Sequence, residues 1–165
     1  MRPLTKVGLG HTGTMPASDA ELIARIASAR GLTIAVAESL TGGALAQSLA
    51  KAPDAAAWFA GGVVAYTAAT KLRLLGVPEG PVVTAPTARR MAEGVRQLTG
   101  ADVAVAVTGV GGPGEEEGHP AGTVFLAIVT ADSTRVTEFA FDGDPASVVA
   151  QTVQGALHAL RVDLG

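Results

Sequence analysis

The chain has no cysteine among its 165 residues, and only one tryptophan, one tyrosine and four phenylalanines. Without thiols it cannot build a disulfide scaffold, a thiolate zinc site or a cysteine nucleophile. Charge is also sparse. Twelve Lys and Arg against 15 Asp and Glu give a net charge of −3, which argues against nucleic acid or an anionic membrane as a partner. No apolar run is long enough to span a bilayer, and the start lacks a basic segment followed by an apolar one, so the expected location is cytoplasmic. What is abundant is small and apolar: 48% hydrophobic residues, 21 glycines and many alanines. A chain of this length and composition folds as one domain that buries about 70% of its unfolded surface. Small side chains let backbones approach one another, or a ligand, closely.

Residues 1–16 lack periodicity and read as a loose, flexible arm before a single domain over 17–165. Ser18-Asp19-Ala20-Glu21 forms a capping box that opens an amphipathic helix with Leu22, Ile23, Ile26 and Ala27 on one face, stopped by Gly31. Strands are expected at Thr33–Ala37, Gly62–Thr67, Val103–Val107, Thr123–Val129 and Thr134–Phe141, the last two as a hairpin. Helices are expected at Gly42–Ala52, at Ala68–Leu75, from Pro86 to Gly100 with Met91, Val95 and Leu98 inward, and from Asp144-Pro145 to about Arg161. Helices alternating with short apolar strands, then a hairpin, point to an α/β class: a mixed, mostly parallel five-stranded sheet with helices on both faces. Ligands in such sheets sit beyond the carboxyl ends of the parallel strands. Three loops therefore matter, Glu38–Gly43, Tyr66–Lys71 and Thr108–Gly114.

Ser39 leaves a strand just before a helix, and Gly42 and Gly43 would let an anion or a developing oxyanion approach that helix N-terminus. Ser39 or Thr41 as a plain N-cap fits the same pattern. A serine nucleophile needs a proton acceptor. His11, His119 and His158 are badly placed, which leaves Lys71, with Tyr66 at the same edge. A lysine partly buried among apolar groups loses its proton more readily, so a Ser–Lys pair is chemically reasonable. Lys71 as a solvated helix residue, and Tyr66 as a core aromatic, are the ordinary alternatives. Gly109-Val110-Gly111-Gly112-Pro113-Gly114 matches a dinucleotide fingerprint in form only, because Glu115, Glu116, Glu117 and another strand follow where a helix is needed. Its N–H groups could still cradle one phosphate. The alternative is a flexible surface connection with solvated glutamates.

Four ordered blocks carry a resemblance: Ala37-Glu38-Ser39-Leu40-Thr41-Gly42-Gly43, Gly62-Val63-Val64-Ala65-Tyr66-Thr67 with Lys71, Thr108-Gly109-Val110-Gly111-Gly112-Pro113, and Pro120-Ala121-Gly122-Thr123-Val124. The chain resembles the C-terminal domain of the competence/damage-inducible CinA proteins, which also occurs as a stand-alone nicotinamide-nucleotide amidase. That resemblance implies a three-layer α/β/α sandwich and hydrolysis of the carboxamide of nicotinamide mononucleotide to nicotinate mononucleotide and ammonia, within pyridine-nucleotide salvage. It assigns Ser39 as nucleophile, Lys71 as base and Tyr66 as a third catalytic residue, which would hold Lys71 or relay the proton. It implies no metal or organic cofactor, a small-molecule nucleotide as partner, and a homo-oligomer, a dimer.

On this reading the substrate is bound by Thr41, Gly42 and Gly43 at the oxyanion and by Thr108, Gly109, Gly111 and Gly112 around the phosphate. The family usually has Tyr-Ser-Asn-Glu-Ala-Lys where this chain has Tyr66-Thr67-Ala68-Ala69-Thr70-Lys71, and Ser-Glu-Pro where it has Thr84-Ala85-Pro86. A lysine of the family is His119, and Leu40 replaces a small residue. These losses of polar groups support a second expectation, a nucleotide- or partner-binding module impaired in catalysis.

Overall fold

Alternation of bulky and small side chains gives the central sheet two buried faces of different character. Valine, isoleucine and leucine point one way (Ile34, Val36, Val103, Val105, Val107, Val124, Leu126, Ile128), and mostly alanine points the other (Ala35, Ala37, Ala104, Ala106, Ala127). The computed structural model describes residues 16–165, so the arm expected over 1–16 falls, apart from Pro16, outside the described residues.

The elements run α1 (Asp19–Arg30), β1 (Ile34–Glu38), α2 (Ala44–Ala50), α3 (Ala55–Trp58), β2 (Phe59–Val64), α4 (Ala68–Leu75), α5 (Ala85–Thr99), β3 (Val103–Gly109), β4 (Thr123–Val129), β5 (Thr134–Ala140) and α6 (Pro145–Leu164). Strand order is β2-β1-β3-β4-β5. β1 is parallel to both β2 and β3, while β4 is antiparallel to β3 and to β5. Four of the five strands therefore run in one direction, and the sheet is mixed as expected. Helices α1, α2, α3 and α6 cover the bulky face. Helices α4 and α5 cover the alanine face, where the missing side-chain volume lets α5 lie close over β3 and β4.

The helix ends follow the chemistry of their caps. Ser18 and Glu21 form the reciprocal capping box of α1, and Gly31 ends it in the left-handed conformation at φ 63°. Thr67, Thr84 and Asp144 cap α4, α5 and α6 through their side-chain oxygens.

Two expectations need correction. The second strand is Phe59–Val64 rather than 62–67, because its register is set by β1, with Ile34 opposite Phe59 and Glu38 opposite Val64. The single turn α3 precedes it, anchored by buried Trp58, whose indole N–H donates to Pro53 O at 2.9 Å. Leu98 is 59% exposed. The buried stripe of α5 runs through Ala88, Met91, Ala92 and Val95, and its helical continuation is Thr99, whose hydroxyl donates back to Val95 O.

The contact between α4 and α5 depends on Gly94. A Cβ at this position would lie 2.3 Å from Leu75 O. An exposed helical Gly→Ala change is normally stabilising by about 1 kcal/mol. Gly94→Ala should instead destabilise the fold by roughly 1–3 kcal/mol through overpacking. Thermal denaturation should show Tm lowered by about 3–10 °C.

Candidate active site

Strand parity separates two adjacent polar residues at the carboxyl end of β1. Glu38 continues the row of Ile34 and Val36 toward α2, whereas Ser39 continues the row of Ala35 and Ala37 toward α4. Ser39 still belongs to the ladder, since its N–H donates to Val107 O at 3.2 Å. The chain then turns through Gly42 and Gly43 at φ 56° and 103°, a left-handed path that side chains disfavour. Gly43 is the N-cap of α2 and offers no side-chain oxygen. Glu38, fully buried, does the capping from the strand: its Oε1 accepts from Leu45 N–H and its Oε2 from Ala46 N–H, both at 2.9 Å.

On the other side, α4 brings Lys71 to Ser39. Lys71 is 1% exposed, and its Nζ donates to Ser39 Oγ at 2.8 Å and to Tyr66 O at 3.1 Å. Burial holds the lysine pKa below its ordinary 10.5, because the ammonium has lost hydration; the nearby carboxylates of Glu116 and Glu117 act in the opposite sense. Tyr66 has left β2, and its ring is 65% exposed rather than in the core. It is the Tyr66 carbonyl that holds the lysine.

Ser39, Tyr66 and Lys71 open on one cavity of 520 Å³, also walled by Leu40, Val82, Val83, Thr108, Gly109, Gly111, Gly112 and Glu115–Glu117. The expected site residues at the third loop are thus brought to the pair. Thr41, Gly42 and Gly43 are not part of this wall. Several donors there are already engaged, Gly42 N–H by Ser39 O, Ala44 N–H by Thr41 O, and the next two by Glu38, while the N–H groups of Thr41 and Gly43 have no acceptor among the described residues. The Thr41 hydroxyl is buried without a partner among the described residues.

The glycine-rich loop is fastened at both ends and in the middle. Val110 N–H donates to Thr123 O and Gly122 N–H to Val110 O, each at 2.8 Å, and Glu116 and His119 exchange backbone hydrogen bonds. The His119 ring meets Phe125 edge-on. Glu117, at φ 52°, accepts from Val82 N–H with both oxygens at 2.9 Å and from Val83 N–H at 2.7 Å. The Thr108 hydroxyl donates to Val82 O at 2.9 Å. The loop is thus tied to its surroundings; Glu115 and Glu116 are exposed as the alternative reading expects, and Glu117, also exposed, is held by two backbone amides. No other described protein group engages the N–H groups of Leu40, Gly111 and Gly112. No group of three or more acidic or histidine side chains among the described residues is arranged to hold a metal ion.

The family model for the CinA C-terminal domain matches residues 17–164. The chain belongs to that family. A CinA-like protein of Geobacter sulfurreducens is 40% identical over 145 residues, covering 84% of this chain and 35% of that protein. A CinA-like protein of Frankia casuarinae is 37% identical over 162 residues, covering 95% and 37%. The chain thus spans about a third of the length of the curated relatives it matches. The competence damage-inducible protein A (ComA) of Klebsiella pneumoniae superposes with a TM-score of 0.85 at 38% identity, covering 90% of this chain and 98% of that one. No described helix of this CinA domain is long and apolar enough to cross a membrane.

Two residues that shape the site went unnoticed in the sequence. Glu38 could have been found, since an apolar strand that ends in one carboxylate before a glycine-capped helix needs a partner for it. Glu117 could not, because Val82 and Val83 lie 35 and 34 residues away. Glu38→Ala leaves two amide donors of α2 without an acceptor and should destabilise the CinA domain by about 2–4 kcal/mol. Glu38→Gln keeps one acceptor oxygen and should lose about half as much. Denaturant titration of the two variants beside the wild type measures both values.

Proposed function

We propose that this CinA domain is an amidohydrolase that cleaves the carboxamide of nicotinamide mononucleotide, giving nicotinate mononucleotide and ammonia. The observation that carries the reading is the buried Lys71 Nζ 2.8 Å from Ser39 Oγ at the wall of a cavity. A lysine in that position serves as a base because desolvation favours its neutral form.

Neutral Lys71 removes the Ser39 proton as Oγ attacks the carboxamide carbon. The tetrahedral oxyanion is met by the unengaged N–H groups of Leu40 and Gly111, a better-supported choice than Thr41–Gly43 because Leu40 and Gly111 wall the cavity and Thr41–Gly43 do not. Lys71 then gives its proton to the departing nitrogen, and ammonia leaves an ester on Ser39. Water, deprotonated by the same lysine, attacks the ester; the bond to Ser39 Oγ breaks, Lys71 returns the proton to that oxygen, and the carboxylic product leaves. The Tyr66 carbonyl keeps Nζ in line with Oγ throughout. The pyridinium ring carries a positive charge that suits a cavity walled by three glutamates, and the N–H group of Gly112 is the donor left for the phosphate. The reaction belongs to the cytoplasm, and a homodimer is the assembly proposed for it.

Ammonia release from nicotinamide mononucleotide tests this directly. Ser39→Ala and Lys71→Ala should each lower kcat by about a thousandfold or more. A Ser39→Ala protein with the wild-type rate would contradict the reading. Because Lys71 must be neutral to act, kcat/KM should rise with pH along a limb whose midpoint lies below 10.5. One feature favours a second reading, a binding module without turnover: Ala68 presents no polar atom to the cavity it lines. That reading predicts a rise of Tm with the nucleotide and no ammonia.

A further inference from the structure

The wall opposite the Ser39–Lys71 pair is made of two pieces of chain that no secondary structure joins. One is the segment Val82–Val83 before α5, and the other is the glycine-rich loop between β3 and β4. Two side-chain contacts connect them. The Thr108 hydroxyl takes the Val82 carbonyl, and the Glu117 carboxylate takes both amides, Val82 N–H at 2.9 Å and Val83 N–H at 2.7 Å. Thr108 lies on β3 and fixes Val82 to the sheet. Glu117 alone ties the far part of the loop to the same segment. Backbone amides facing an ionised carboxylate make short, strong hydrogen bonds, and the Glu117 backbone adopts the left-handed conformation at φ 52° as it makes them.

We infer that Glu117 is a positioning residue for the proposed amidase: by clamping the glycine-rich loop onto Val82–Val83 it sets the width of the cavity that receives the substrate. The inference rests on the Ser39–Lys71 reading for its kinetic consequences but not for its structural one. Glu116 supplies the control. Its carboxylate also lines the cavity and faces Lys71 through space, yet no described group hydrogen-bonds to its side chain. The groups that face Lys71 are Ser39 and the Tyr66 carbonyl by contact, and the carboxylates of Glu116 and Glu117 by charge. Removing either negative charge favours neutral Lys71 and moves the rising limb of kcat/KM toward lower pH. Only Glu117 should also alter the wall.

The test compares Glu117→Ala, Glu117→Gln and Glu116→Gln with the wild type. Glu117→Ala should raise KM for nicotinamide mononucleotide by about tenfold, with kcat changed by less than about threefold, because ground-state positioning is lost while the nucleophile and base remain. Glu117→Gln, which keeps one acceptor oxygen, should recover much of the KM. Glu116→Gln, which removes a charge facing the pyridinium ring but no clamp, should shift the pH limb and raise KM less than Glu117→Ala does. Hydrogen exchange reads the clamp without any turnover: the Val82 and Val83 amides should be protected in the wild type and in Glu116→Gln, and lose at least about tenfold of that protection in Glu117→Ala. Equal protection in Glu117→Ala and the wild type overturns the inference whatever the activity. Lost protection with an unchanged KM overturns its kinetic part. Absence of any ammonia release from the wild type, with the exchange result intact, would strike the amidase reading and leave the clamp standing.

Discussion

A lysine side chain held at 1% exposure has given up nearly all of its hydration, and the structure returns only two hydrogen bonds to it, from Ser39 Oγ and the Tyr66 carbonyl. An ammonium in that position is poorly compensated, because among the described residues no carboxylate touches it and the nearest negative charges act only through space. Burial therefore makes the neutral amine easier to reach than in free lysine, and in the proposed reaction that amine, 2.8 Å from the Ser39 hydroxyl, is the base beside its acid. Proton affinity is thus lowered by the same packing that builds the core under α4.

Placing that pair falls to a single strand. Alternation along β1 sends Glu38 to one side of the sheet and Ser39 to the other, so two adjacent residues do opposite jobs. Glu38 secures α2, whose N-cap is a glycine with nothing to offer, and in doing so fixes the turn that carries the chain away from Ser39. Ser39 is left facing the alanine side, where small residues on β1 and β3 allow the helices over them to come close. The chemistry and the packing rely on the same alternation of valine and alanine.

Much of this was legible before any coordinates. Capping residues placed the helix starts at Ser18 and Asp144, and the hairpin and the mixed sheet followed from apolar runs and turn residues. Ser39 and Lys71 became candidates because there is no cysteine and no well-placed histidine and because ligands gather at the carboxyl ends of parallel strands, and it was the family resemblance that assigned them their roles. The rest depends on contacts that local pattern does not encode. The start of β2 is set by its register against β1. The α2 N-terminus looked open to an anion because sequence spacing does not reveal that a strand carboxylate already occupies it. Glu117 looked solvated because its partners come from a segment more than thirty residues earlier.

The account stands or falls on the state of one amine. Titration of Lys71 Nζ by NMR, with labelled lysine and the Lys71→Arg protein to assign the resonance, reports its protonation without substrate. The account predicts a midpoint below the ordinary lysine value of 10.5, and a further fall when Glu116 or Glu117 is neutralised. A midpoint at or above 10.5 would mean that Lys71 stays an ammonium beside Ser39, and would contradict its role as the base.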